Sequence, residues 1–176
     1  PTAGSAESGE YYLSRPLFLY SDAGVMQEKP QVADYINYFL THVNEEVLDV
    51  GYFPASEATL NQSKVNWLAA MGMADEMTMA EQPADEAAAG GACELPAVDP
   101  LSVSGDIISA GSSTVFPLAE RMAERFQNEG YVGQITIDSI GSGAGFERFC
   151  VAGETDVSNA SRAIRDSEIE SCAAIG

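Results

Sequence analysis

The sequence predicts an α/β fold with a central, mostly parallel sheet flanked by helices. Three observations predict it. The apolar fraction of 45% over 176 residues is enough for a real core. Between residues 104 and 176 a strand, a Gly-rich turn and a helix recur about three times, and this alternation implies parallel neighbouring strands. Before residue 72 an isolated strand precedes two helices.

The first strand is the apolar run Leu17-Phe18-Leu19-Tyr20, with Pro16 tolerated near its start. From Pro30, the apolar residues Val32, Tyr35, Ile36, Phe39, Leu40, Val43, Val47 and Leu48 recur at three- and four-residue steps up to Gly51, predicting an amphipathic helix of about five turns. Ser56 is a natural N-cap for the next helix, whose stripe Leu60, Lys64, Trp67, Leu68 and Met71 ends before Gly72. Met73 to Asp99 then carries seven acidic residues and no basic one, so residues 73–103 read as an acidic linker. Beyond it, Ile107-Ile108-Ser109-Ala110 leads into Gly111-Ser112-Ser113-Thr114 and a helix with Leu118, Met122 and Phe126 on one face. Ile135-Thr136-Ile137 leads into Gly141-Ser142-Gly143-Ala144-Gly145 and a helix through Phe146 and Phe149. Asp156 to Ala160 leads through Ser161-Arg162 to a helix with Asp166 and Glu168 in its first turn.

Against 27 Asp and Glu stand 8 Lys and Arg, a formal charge of -19, which argues against nucleic acid or an anionic membrane surface as partner. No apolar run reaches the roughly 18 to 20 residues of a membrane helix, so no membrane insertion is expected, and any export signal lies outside the sequence given. Cys93, Cys150 and Cys172 lack the CxxC pairs of a structural zinc site, and no metal or cofactor is expected. Cys150 and Cys172 each lie near a predicted helix. They read as one disulfide in an oxidising compartment or as two buried thiols, with Cys93 left over in a flexible stretch.

Three strand ends followed by small hydroxyl residues or glycine and then by helices would converge at the carboxyl edge of one sheet, where open α/β sheets bind ligands. Helix starts offer unpaired N–H groups and the positive end of the macrodipole, and Ser113, Thr114, Ser142 and Ser161 add neutral donors. The inferred ligand is a compact oxyanion. The glycines miss the GxGxxG spacing by one residue and no GxxxxGK[ST] loop exists, which weighs against a nucleotide. The one histidine, His42, is far in sequence from each Gly-Ser turn and reads as a surface residue, Glu45-Glu46 as a solvated helix face, and Trp67 with Tyr35, Tyr38 and Phe39 as packing. No enzyme is expected.

The stretches Ala110-Gly111-Ser112-Ser113-Thr114-Val115-Phe116-Pro117-Leu118, Asp138 to Phe146 and Gly153 to Arg162 resemble, in order and spacing, the N-terminal part of PstS-type phosphate-binding proteins, which supply phosphate to an ABC importer. Residues 10–72 resemble the C-terminal end of the same family, through Leu13 to Tyr20, Val50-Gly51-Tyr52-Phe53-Pro54, and the helix with Lys64 and Trp67. The order is inverted, as in a circular permutant or a window across the junction of two linked copies.

The resemblance implies a type II periplasmic-binding-protein lobe. Residues 1–72 would be the C-terminal part of lobe one and residues 104–176 its N-terminal part, with the second lobe absent from this sequence. It implies that Ser113, Thr114, Val115 and Phe116 at the first helix start, Ser142 at the second, and Ser161 with Arg162 at the third face phosphate, Val115 and Phe116 through backbone N–H groups. Some family members carry an acceptor Asp where this sequence has Ser161-Arg162. The expected partners are inorganic phosphate and a transporter permease, in an extracytoplasmic, secreted setting. The alternative is a self-assembling protein that reuses this lobe and joins copies of itself through the linker or exchanged segments.

Overall fold

The computed structural model describes residues 2, 4–5, 10–12, 14–73 and 93–175. Most of the stretch read as an acidic linker, residues 74–92, lies outside these.

Strand β1 (Phe18–Tyr20) is followed by helices α1 (Ala23–Glu28), α2 (Pro30–Glu46) and α3 (Glu57–Ala70). After a 3-10 turn at Pro100–Ser102, the chain runs β2 (Ile107–Gly111), α4 (Phe116–Asn128), β3 (Ile135–Ser139), α5 (Ser142–Cys150), β4 (Val157–Ala160) and α6 (Asp166–Ala173). The strands form one sheet in the order β1-β4-β2-β3. β2 is parallel to both β3 and β4, with Gly111 opposite Ser139 on one side and Asn159 on the other. β1, contributed by the first segment, runs antiparallel to β4, Phe18 pairing with Ala160 and Tyr20 with Ser158. The mostly parallel α/β architecture expected from the strand–turn–helix repeats is the one observed.

The sheet separates two apolar clusters, and the period-2 alternation of a strand decides which side chain joins which. Leu19, Ile107, Val157, Ile135 and Ile137 face the larger cluster with Val32, Tyr35, Phe39, Trp67, Leu118, Met122 and Phe126. Phe18, Tyr20 and Ala160 face the smaller one with Phe146 and Cys150. The two sequence segments therefore share one core. Cys150 and Cys172 form a disulfide that ties α5 to α6, and α6 itself buries no residue.

Three local expectations are corrected. The short helix α1 was not foreseen from periodicity; its signal is Asp22, whose carboxylate accepts from Gly24 N at 2.7 Å and Val25 N at 3.3 Å. Cys93 is half-buried against the larger cluster and donates its N–H to Asn61 Oδ1. The Pro96 carbonyl accepts from Asn37, so the chain from 93 onward packs on α2 and α3 rather than forming a free tether. Glu46 is buried and binds Arg121 (2.6 Å) and Arg125 (2.9 Å), Glu45 binds Arg125 at 2.7 Å, and the half-buried His42 ring lies against Tyr38 and 3.2 Å from the Arg125 guanidinium. These carboxylates join α2 to α4, Glu46 buried there and Glu45 still exposed as expected, because opposite charges arrive from the second segment.

Asp156, just before β4, makes another short polar link between the segments. It is 3% exposed, and its carboxylate accepts from Lys29 Nζ at 2.6 Å and from Ile108 N at 2.8 Å. Its carbonyl accepts from the Ser21 hydroxyl at 2.9 Å.

Candidate oxyanion site at the carboxyl edge of the sheet

Because β2, β3 and β4 are parallel, Gly111, Ser139 and Ala160 end on the same edge, and the turns that follow them meet there. Glycine is required at the base. Gly111 has φ +146°, and a Cβ on it would lie 2.0 Å from the Asn159 carbonyl oxygen. The Gly111 carbonyl accepts from both Ile140 N (2.9 Å) and Gly141 N (2.7 Å), drawing the start of α5 over the end of β2. Gly145 allows that approach, since a Cβ there would meet Gly111 Cα at 2.6 Å. At Gly143, in contrast, a Cβ would meet nothing within 4 Å, so the backbone of the first turn of α5 is open.

Ser112 caps the first turn: its hydroxyl accepts from Thr114 N at 3.2 Å and its carbonyl from Val115 N and Phe116 N, each at 3.1 Å. The Val115 and Phe116 amides expected to face the anion are thus already bonded, while the exposed side chains of Ser113 and Thr114 remain at the rim.

At the start of α5 the amides of Ser142, Gly143 and Ala144 have no helical carbonyl behind them to accept their hydrogens. The Ser142 hydroxyl accepts from Ser161 N at 3.2 Å and lies 3.5 Å from the Ser161 hydroxyl, so these two sequence-predicted residues are brought together.

Arg162, expected to face the anion, is paired within the chain. Its guanidinium lies over the Phe146 ring, 5.3 Å from the centroid, and binds Glu168 in bidentate fashion at 2.6 and 2.8 Å. The hydrogen bond to Arg162 holds the Glu168 carboxyl below its ordinary value, and Glu168 raises Arg162 in turn. His42 contacts Arg125, about 14 Å along α4 from its first turn at 1.5 Å per residue, and is not among the site groups.

Four residues that shape the edge escaped the sequence reading. Tyr52 donates to the Thr114 carbonyl at 2.7 Å and the Tyr20 hydroxyl accepts from Ile164 N at 3.1 Å, so the first segment steadies two of the three turns. Buried Asn159 accepts from Ser112 N through its carbonyl and donates to the Ser109 hydroxyl at 2.8 Å. Glu168 engages Arg162. The contacts of Tyr52, Tyr20 and Asn159 are long-range and carry no local sequence signal.

A mostly parallel sheet with small-residue turns at its carboxyl edge is an architecture in which ligands bind at that edge. A family model for the PBP superfamily domain matches residues 59–176, and the chain belongs to that superfamily. Protein SphX of Synechococcus elongatus is 47% identical over 66 residues, 38% of this chain and 19% of SphX. The phosphate-binding protein PstS of Staphylococcus epidermidis is 41% identical over 70 residues, 40% of this chain and 21% of PstS. The chain thus spans about a fifth of the length of these relatives. A solved phosphate-binding protein of a phosphate ABC transporter from Streptococcus pneumoniae superposes with a TM-score of 0.56 at 20% identity, covering 97% of this chain and 51% of that one. The resemblance to PstS-type proteins read from the motifs is supported by these relatives, and the lobe fold by the solved structure.

Proposed function

We propose that this chain is a lobe that binds inorganic phosphate as part of the solute-binding component of an ABC importer. The observation that carries the proposal is the junction of two separate turns at Ser142 and Ser161, with the open first turn of α5 beside them. Hydroxyls and helix-start amides suit a tetrahedral oxyanion, because they complement its charge with fixed dipoles at about 3 Å. Ser113, Thr114, Ser142 and Ser161 would supply the hydroxyls. The proposal has no catalytic step. It sets the protein outside the cytoplasm, where the Cys150–Cys172 disulfide persists, with a transporter permease as macromolecular partner. It retains the inverted order of the two segments relative to the relatives.

Titration calorimetry of the chain with phosphate, using sulfate as control, tests the proposal. Binding at micromolar or better, about 8 kcal/mol, supports it, and the absence of heat with either anion refutes it for this chain. A second reading, a scaffold of exchanged segments, draws on the bonds that cross from the first segment to the second, through Ser21, Lys29 and Tyr52. The same bonds between neighbouring molecules would produce large species whose size ignores phosphate, which light scattering detects.

A further inference from the structure

Arg162 follows directly on Ser161, yet its charge is matched by a carboxylate. Glu168 Oε1 accepts from Arg162 Nη2 at 2.6 Å and Oε2 from Nη1 at 2.8 Å, while Oε2 also accepts from Arg165 N at 2.9 Å. One carboxylate thereby closes the loop between β4 and α6 and neutralises its cation. The pair is shielded from solvent, with side chains 27% and 17% exposed, and lies on the face of Phe146, whose helix begins at Ser142. No residue of α6 is buried, so its position rests on Cys172 and on this carboxylate.

We propose that Glu168 is an affinity-limiting latch: it competes with the anion for Arg162, so that the empty lobe offers only neutral donors. This inference rests on the phosphate reading above. A bidentate guanidinium–carboxylate pair is geometrically equivalent to a guanidinium–phosphate pair, so an incoming oxyanion can exchange for Glu168 only at the cost of breaking an equal contact. The latch lowers affinity for every oxyanion and leaves discrimination to the hydroxyls and amides, which are directional. Without the carboxylate, a free arginine would attract any anion of similar charge.

The test is a titration of inorganic phosphate and of sulfate into the full chain, wild type, Glu168→Gln and Glu168→Gln/Arg162→Gln, followed through the amide NMR signals of Ser142, Gly143 and Ser161. The latch predicts that Glu168→Gln binds phosphate about tenfold tighter, equivalent to ~1.4 kcal/mol, and gains similarly for sulfate. It also predicts that the gain vanishes in the double variant. The melting temperature of Glu168→Gln should fall at the same time, and a merely structural role cannot weaken the fold while tightening the site. Equal or weaker binding by Glu168→Gln, or a gain that survives in the double variant, overturns the latch alone. If no form responds to either anion, the phosphate reading itself fails and the latch with it.

Discussion

Replacing Asp156 with alanine tests whether the two sequence segments are held together as the structure indicates. The side chain does two things at once: it accepts the Ile108 amide at 2.8 Å from the central strand and the Lys29 ammonium at 2.6 Å from the first segment. A hydrogen bond to a charged group contributes about 1.5–3 kcal/mol, and its loss strands the Ile108 N–H inside the sheet. The ion pair adds about 1 kcal/mol or less, because the Lys29 side chain is 47% exposed and water screens it. Together the loss is about 3 kcal/mol, which for a chain of this size lowers the melting temperature by about 6–12 °C. Thermal unfolding followed by circular dichroism should show this for Asp156→Ala. A cycle with Lys29→Met should assign about 1 kcal/mol to the pair and the remainder to the backbone anchor. A change below about 0.5 kcal/mol in Asp156→Ala would refute the clasp. A coupling near the full loss would refute the division between anchor and ion pair.

Gly111→Ala should prevent stable folding, since its Cβ would meet the Asn159 oxygen at 2.0 Å, whereas Gly143→Ala, with open space, should be neutral or stabilise by up to about 1 kcal/mol; soluble yield and melting temperature distinguish the two. Reducing Cys150–Cys172, which are 22 residues apart, should cost about 3 kcal/mol on loop entropy. Because α6 buries no residue, hydrogen exchange over residues 167–173 should rise before the rest of the fold responds. Stability should fall as pH drops below about 4.5. Glu45, Glu129 and Glu168 are held below that ordinary value by Arg125, Tyr38 and Arg162 respectively, so the unfolded chain takes up protons first. Burial of Asp34 raises its carboxyl and works in the opposite direction, and a denaturant series from pH 7 to pH 3 reads the balance.

The sequence by itself determined the elements and the chemical character of the site. Helix periodicity placed Val32, Tyr35, Phe39 and Trp67 in the core, and the three turns of small residues marked the edge at which they meet, because capping, glycine conformation and amphipathic spacing act over a few residues. What each turn does with its donors was decided only by the tertiary structure. That Tyr52 reaches Thr114, that Tyr20 reaches Ile164, and that Asp156 reaches Lys29 are choices among partners far apart in the chain. The same holds for Glu46 and His42, which one helix would leave to solvent and which the arrival of Arg121 and Arg125 draws into a network. A polar side chain satisfies itself with whatever the fold brings within about 3 Å, and that distance is set by packing, which no local pattern records.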